Sequence, residues 1–248
     1  ADIRDFYHSE RGRAAARLIG EKLVRMVQPA AGQTVMGLGF AIPYLDALVP
    51  DTALGLAFMP GRQGVVHWPP GGACRAALVD EHDLPLLEST VDVALVVHGL
   101  EFADAPLDVL QEVWRVMAPQ GRLVLVLPNR RGVWSASETT PFGHGQPFSG
   151  SQIGTLLKEA RFTIARRDAA LFFPPVLRPP SLRGAAFMER VGERVAPGFS
   201  GVIVIEAVKQ VYAFSAGKRA RRLVPRFRPV LLPSPQPTPR MPGPAAES

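Results

Sequence analysis

The chain has 248 residues, of which 47% are hydrophobic and 20% are charged, so it can bury a core of domain size. No apolar run approaches the roughly 18 residues that a membrane-spanning helix needs, and the charged residues near the start argue against a signal peptide. The single cysteine, Cys74, excludes an intramolecular disulfide and a zinc ribbon, and we expect a cytoplasmic protein.

The positive charge is concentrated near the C-terminus. Residues 215–248 contain seven Lys and Arg against one Glu, which equals the net charge of +6 of the whole chain. They also contain eight prolines and no apolar periodicity, so they are predicted to form a disordered tail after a domain at 1–214. This tail either binds an anionic partner, such as RNA, lipid or an acidic protein surface, or serves only as a solubilising extension.

Periodic apolar residues predict that helices and strands alternate along the body. An N-terminal helix is predicted within residues 1–28, where apolar side chains recur at helical spacing between charges. Val91–Val97 is a nearly continuous apolar run, which is typical of a strand buried on both faces of a parallel sheet. The other elements predicted in this half are strands at 33–39, 52–58 and 73–79 and a helix at 44–49.

The second half continues the alternation. A helix at 107–117, a tight Pro119-Gln120-Gly121 turn and a strand at 122–127 are predicted first. A helix at 151–160, a strand at 162–173, a helix at 184–194 and a strand at 202–212 follow. This order predicts a doubly wound parallel sheet with right-handed crossovers, and the last two strands fit an antiparallel pair at its edge.

Three segments resemble one enzyme family. Val113–Val126 (VWRVMAPQGRLVLV) is similar to the helix, Pro-Gly turn and strand of class I S-adenosylmethionine (SAM) methyltransferases, in particular the broad type 11 group. Asp80–Pro85 (DEHDLP) and Val91–Phe102 resemble two further segments of that family. The resemblance spans roughly residues 33–209 and implies a Rossmann-like, mostly parallel seven-stranded sheet with an antiparallel last strand, SAM as cofactor and methyl transfer as activity.

The acidic loop after the third predicted strand is the first candidate for cofactor contact. The resemblance implies that Asp80, with Glu81 beside it, accepts a hydrogen bond from the amino group of adenine. An acceptor is what this position needs, because an exocyclic amine offers donors. A solvated acidic turn would have the same composition.

His98 follows the predicted strand at 91–97. Ligands in open α/β sheets bind beyond the carboxyl ends of the strands, so we expect His98 to contact the cofactor near its methyl group. There it could act as general base for a hydroxyl or amine acceptor. A capping or loop-packing role for His98 is an equally good interpretation.

The glycine loop departs from the family pattern. In Gly37-Leu38-Gly39-Phe40-Ala41-Ile42-Pro43 only Gly39 stands at a family glycine position. Gly37 replaces the acidic residue, and Ala41 and Pro43 replace the later glycines. Proline lacks a backbone donor, and alanine limits close approach of the ligand. The 37–41 loop is still expected to hold the methionine end of SAM.

The position that would contact the ribose also departs from the family pattern, because it lacks a negatively charged side chain. Ala57 stands where an acidic side chain commonly binds both ribose hydroxyls, and losing that contact costs about 1.5–3 kcal/mol. SAM could instead be bound by Phe40, Met59 and backbone groups. A dinucleotide dehydrogenase fits less well, because its G-x-G-x-x-G pattern would need glycine at Ile42 and an acid near Ala57.

The segment 129–148 is predicted to be a long loop over the substrate. It is polar and aromatic without a core pattern, and loops of this length are usually functional or disordered. The alternative is that it packs structurally over the sheet. Its candidate residues are Arg130, Arg131, Trp134, Phe142 and His144 for contact with the acceptor, and Glu138 and His144 as further candidate bases.

Two functions follow from these patterns. The first is SAM-dependent methyl transfer to a small-molecule or protein acceptor, with no metal required. The second is a methyltransferase-like binding protein without turnover, whose Arg-rich loop and basic tail hold an anionic partner. The first requires SAM binding that depends on Asp80, and the second requires salt-sensitive binding that depends on residues 215–248.

Overall fold

A seven-stranded sheet with helices on both faces forms the body of the computed structural model, which describes residues 3–51, 53–137, 139–175, 182–195 and 197–210. The strands are β1 Thr34–Gly39, β2 Leu54–Pro60, β3 Ala76–Val79, β4 Val91–Val97, β5 Met117–Pro128, β6 Phe162–Ala170 and β7 Val202–Lys209. The α-helices are α1 Ile3–His8, α2 Glu10–Met26, α3 Ile42–Leu48, α4 Pro106–Val116, α5 Gly150–Glu159 and α6 Leu182–Val195.

The strand order is β3-β2-β1-β4-β5-β7-β6. Neighbours from β3 to β5 are parallel, and β7 runs antiparallel to both β5 and β6. This confirms the predicted doubly wound, mostly parallel sheet with an antiparallel last strand, although β6 rather than β7 is outermost. The strand order reverses between β1 and β4, and such a switch point is where open α/β sheets bind ligands.

Both faces of the sheet are buried. On one face, Val93, Leu95 and Val97 of β4 pack in a cluster with α1, α2 and α3. On the other face, Ala94 and Val96 pack with α4 and α5. Because successive strand residues point to opposite faces, covering both faces requires the continuous apolar run that the sequence shows in β4.

The N-terminal segment is two helices rather than the single helix predicted within 1–28. The hydroxyl oxygen of Ser9 accepts a hydrogen bond from the Gly12 N–H at 3.0 Å and caps the start of α2. A Cβ at Gly12 would overlap the carbonyl of Phe6. The serine cap and the missing side chain therefore allow α1 to fold back closely onto α2.

The Pro-Gln-Gly segment belongs to a strand in the structure. The prediction of a separate turn before residue 122 was wrong in its boundary, because β5 already begins at Met117, opposite Val91. The register shifts between Val91 and Val93, and Gln120 has a φ of 63°. The turn signal thus marks an irregularity at the start of β5, as expected where a bulge interrupts a ladder.

Within the described ranges, no helix is long and apolar enough to cross a membrane. The predicted tail at 215–248 lies outside the described residues, and so does Glu138, one of the predicted bases.

Candidate active site

His98 lies at the switch point, immediately after β4. Its φ is 50°, a left-handed conformation that turns the chain into the short helical turn Leu100–Phe102. This turn brings Glu101 back, so that its Oε1 lies 3.0 Å from Nδ1 of His98. Both residues are buried. A carboxylate only accepts hydrogen bonds, so the contact assigns a proton to Nδ1, which donates to Glu101, and the tautomer with this single proton leaves Nε2 as an acceptor.

Two tyrosines extend this pair into a chain of hydrogen bonds. The Tyr7 hydroxyl lies 2.9 Å from Nε2 of His98 and 2.9 Å from the Tyr44 hydroxyl. Since Nε2 accepts, the Tyr7 hydroxyl donates to His98, and the Tyr44 hydroxyl donates to the oxygen of Tyr7. Burial, together with the nearby Tyr44 and Glu101, raises the pKa of Tyr7 well above its usual range, so Tyr7 stays protonated.

Aromatic rings enclose the Tyr7 side chain. Its ring stacks on Phe40 with centroids 5.4 Å apart and planes 24° apart. The rings of Phe6 and Tyr44 meet it edge-on at 5.2 and 6.2 Å. The ring centroid of Phe142 lies 4.8 Å from that of the His98 imidazole. All of these side chains are buried, so aromatic packing closes the crevice between β1 and β4.

Two buried acceptor atoms near His98 have no hydrogen-bond partner among the described residues. They are Oε2 of Glu101 and Oε1 of Gln63. The amide nitrogen of Gln63 donates to the carbonyl of His98, which ties the turn after β2 to the end of β4. An unpaired buried acceptor costs about 1–3 kcal/mol. The closed site therefore lacks donors that a bound ligand could supply.

The glycine loop is packed against α3. Gly39 has a φ of 80°, and a Cβ there would overlap the carbonyl of Val97, so this glycine permits the close approach of β1 to β4. A Cβ at Gly37 would lie 2.8 Å from Cβ of Ala41 and 3.0 Å from Cδ1 of Leu45. The space that an acidic side chain would need at this position is therefore filled by Ala41 and by Leu45 of α3.

The predicted adenine loop is anchored to α4. The Leu84 N–H donates to Oε1 of Glu112 at 2.7 Å, and Arg115 donates to the carbonyls of Leu84 and Leu86. Burial opposes ionisation of Glu112, but Arg115 and the Leu84 N–H together lower its pKa below the ordinary value. The loop is thus held in place at its C-terminal end by a charged pair.

Asp80 itself lies at the surface, with 68% of its side chain exposed. Its Oδ1 accepts from the backbone N–H of His82 and lies 3.1 Å from the imidazole, and these contacts lower the pKa of Asp80. Its neighbour Glu81 is buried and paired with Arg62. Asp80 is therefore an ionised and accessible acceptor, whereas Glu81 already has a partner.

The loop after β5 is partly a core element. Trp134 and Phe142, predicted to offer stacking faces, are fully buried, and the Trp134 indole donates to the carbonyl of Phe173 at 2.6 Å. Arg130 and Arg131 are exposed. His144 is half-buried in the turn that packs on the backbone of Glu101, through the Gln146 N–H at 2.7 Å. Structural packing over the sheet thus accounts for the two aromatic residues.

The structure brings some predicted residues together and adds others. His98, Gly39, Phe40 and Ala41 lie at the switch point, and Met59 is buried in the cluster beside it. Tyr7, Tyr44 and Glu101 were not predicted. The three-residue spacing of His98 and Glu101 was a signal for their contact. No local pattern connects Tyr7 to a residue 91 positions away.

Comparison with known proteins agrees with this architecture. Residues 62–125 match the family described as "Methyltransferase domain". No curated protein matches the sequence. The fold is similar to that of a SAM-dependent methyltransferase from Thermotoga maritima, with 18% identity and a TM-score of 0.57, covering 84% of this chain and 94% of the other.

Two further structures have a similar fold. A chain from the complex of the Haloferax volcanii Trm112 methyltransferase activator with a methyltransferase has 18% identity and a TM-score of 0.57, and covers 85% of this chain and 98% of its own. Geranyl diphosphate methyltransferase, in complex with GPP and sinefungin, has 16% identity and a TM-score of 0.52, with 77% and 78% covered. At these identities the likeness establishes the fold.

Proposed function

The chain has the fold and, in its central segment, the sequence pattern of class I SAM-dependent methyltransferases, and from this premise we propose that it transfers a methyl group from SAM to an acceptor with a dissociable proton. The observation that carries the proposal is the buried pair of His98 and Glu101 at the switch point. An imidazole held by a carboxylate in a water-poor crevice is the arrangement expected of a general base.

The donor and acceptor groups of the crevice fit SAM. The unpaired atoms Glu101 Oε2 and Gln63 Oε1 are both acceptors, and the amino and hydroxyl groups of SAM are donors. Asp80 offers a third, accessible carboxylate. In this proposal Asp80 binds the adenine amine, the backbone of the 37–41 loop lies against the methionine end, and the two buried acceptors receive donors near His98.

The chemistry that the protein itself must supply is proton removal. SAM, when bound, supplies an activated methyl group whose transfer leaves an electron pair on sulfur and requires an acceptor that gives up its proton. The lone pair on Nε2 of His98 takes that proton. The Glu101 carboxylate, 3.0 Å from Nδ1, stabilises the resulting imidazolium and holds the ring in place.

SAM affinity is expected to be modest. Ala57 is buried and apolar where the family commonly has a ribose-binding acid, and Pro43, in the first turn of α3, has no N–H to offer. Losing one charge-assisted contact lowers affinity about ten- to a hundredfold. We also propose a cytoplasmic protein, because a chain with a single cysteine cannot form the intramolecular disulfides that are common in secreted proteins.

The test is calorimetric titration with SAM and with S-adenosylhomocysteine. We expect micromolar binding that weakens at least about tenfold in Asp80→Ala, because one carboxylate acceptor is lost. Asp83→Ala is the matched control, since it removes an exposed acid from the same loop. No heat with wild type up to millimolar ligand would overturn the proposal and turn attention to the anionic partner of the Arg-rich loop and tail.

A further inference from the structure

His98, the base of the proposed reaction, is already hydrogen-bonded to a phenol, the side chain of Tyr7. The hydroxyl of Tyr7 donates to Nε2 of His98 at 2.9 Å, which is the atom that must take the proton from an acceptor. While α1 is docked, no other hydroxyl can use that lone pair. Tyr7 is therefore an internal occupant of the position where an acceptor group has to lie.

The surroundings of Tyr7 define the shape of this position. Phe40 provides a flat face at 5.4 Å, and the edges of Phe6 and Tyr44 close the sides. Stacked and edge-on contacts of this kind select a planar ring over a flexible chain. When α1 leaves, Phe6 leaves with it, whereas Phe40 and Tyr44 stay with the sheet and α3.

The polar groups select a hydroxyl on that ring. The oxygen of Tyr7 accepts from the Tyr44 hydroxyl at 2.9 Å while its proton points at His98. A phenol oxygen keeps lone pairs for the Tyr44 donor before and after it loses its proton. Phenols ionise near pH 10, within reach of a His–Glu pair, whereas an aliphatic hydroxyl is a far weaker acid.

α1 is built as a separable piece. It has six residues and ends at His8, and the backbone of Ser9 is extended before α2 begins. Its polar anchors include Arg4, whose guanidinium donates to the carbonyls of Gln63 and Val65 at 3.2 and 3.1 Å. Its close fit on α2 depends on the absence of a side chain at Gly12. A six-residue helix has little stability of its own, so docking alone holds it.

On the basis of the proposed function, we propose that the methyl acceptor is a hydroxylated aromatic ring, which replaces Tyr7 at His98 when α1 moves off the sheet. The phenolic proton then passes to Nε2 of His98, and the phenol oxygen, with Tyr44 donating to it, uses its freed electron pair to bond the methyl carbon. The sulfur of the cofactor keeps the electron pair of the broken bond, so atoms and charges balance.

The experiment weakens the docking of α1 without touching the base. Gly12→Ala places a methyl group against the carbonyl of Phe6, and Arg4→Ala removes two hydrogen bonds of α1. Gly20→Ala is the matched control on α2, since its Cβ would lie 3.9 Å from Tyr44, an ordinary contact. Each variant is titrated with S-adenosylhomocysteine alone, and then with phenol, cyclohexanol or aniline in its presence.

We expect phenol to bind both release variants at least about tenfold more tightly than wild type or Gly20→Ala, because the internal competitor is weakened. Cyclohexanol and aniline are expected to bind at least about tenfold more weakly than phenol, a difference of about 1.4 kcal/mol. Wild type with SAM is also expected to form the methyl ether of phenol and no methylated cyclohexanol or aniline. This product assay does not depend on how the release variants fold.

Other outcomes separate the two proposals. Binding of S-adenosylhomocysteine with no preference for phenol would overturn the phenol inference and leave the proposed function standing. Equal phenol affinity in wild type and in both release variants would overturn the role of Tyr7 as a competitor. Failure of wild type to bind S-adenosylhomocysteine up to millimolar concentration would overturn the proposed function itself.

Discussion

Gly39→Ala tests whether the approach of β1 to β4 depends on a missing side chain. At a φ of 80°, alanine costs about 1–2 kcal/mol in backbone strain. Its Cβ would overlap the Val97 carbonyl and lie 3.1 Å from the Gly99 nitrogen, and such overpacking costs about 1–3 kcal/mol. The same overlap would weaken the hydrogen bond that the Phe40 N–H donates to the Val97 carbonyl at 2.7 Å. Losing that hydrogen bond would cost about 1 kcal/mol of stability.

The sum is a loss of roughly 3–6 kcal/mol in the free energy of unfolding. The assay is urea denaturation followed by tryptophan fluorescence, with Gly61→Ala as matched control, because a Cβ there meets no atom within 4 Å. The same displacement would move His98, so Gly39→Ala is also expected to bind S-adenosylhomocysteine more weakly than Gly61→Ala does. A loss within about 1 kcal/mol of the control would refute the reasoning, because two surface substitutions of about 0.5 kcal/mol each can differ by that much.

Three other substitutions test the site and its supports. Glu101→Gln keeps an acceptor for Nδ1 of His98 but removes the charge that stabilises imidazolium, so single-turnover methyl transfer should slow about a hundredfold or more. An unchanged rate would exclude the charge of Glu101 as a support for a base at His98. The pKa of Glu112 is lowered in the folded protein, so its ionised carboxylate stabilises the fold above the ordinary carboxyl pKa, and this stabilisation is lost as pH falls through the lowered pKa. Glu112→Gln lacks this titration, so its denaturation midpoint should fall less in acid than that of wild type. Trp134→Phe removes the hydrogen bond to the Phe173 carbonyl, so the free energy of unfolding should fall by about 2–4 kcal/mol. A change in ligand binding with no change in stability would instead indicate that Trp134 contacts the methyl acceptor.

The sheet could be predicted because its buried strands have apolar runs that can be recognised in the sequence. Val91–Val97 was placed correctly, since a strand covered on both faces must be apolar throughout. Boundaries were less accurate where two signals compete. The start of β5 was missed because Pro119 and Gly121 are typical of a turn, yet Met117 still pairs with β4. The break at Ser9 was missed because apolar spacing continues through it, although serine is a good helix cap.

The site was less predictable than the fold, for a physical reason. His98 could be placed at a strand end, and Glu101 follows within one turn. Tyr7 and Tyr44 reach the same point from α1 and α3, through contacts that depend on how helices pack on the sheet. Trp134 looked like a loop residue because its run has no periodicity, yet its ring fills the core. Tertiary packing, which local spacing does not encode, decided these cases.

In the proposed function, Ala57 and the docked Tyr7 would each lower cofactor affinity, in different ways. The missing acid at Ala57 would lower the affinity of the open site for the cofactor, and a movement of α1 would not restore it. The docked Tyr7 would lower the apparent affinity by reducing the fraction of molecules in which α1 has left the site. Gly12→Ala should therefore restore the affinity lost through docked Tyr7 and leave the loss at Ala57 unchanged. Ala57→Asp should affect only the loss at position 57. If both substitutions fold, their effects on S-adenosylhomocysteine binding should add, because they act on separate steps of one equilibrium.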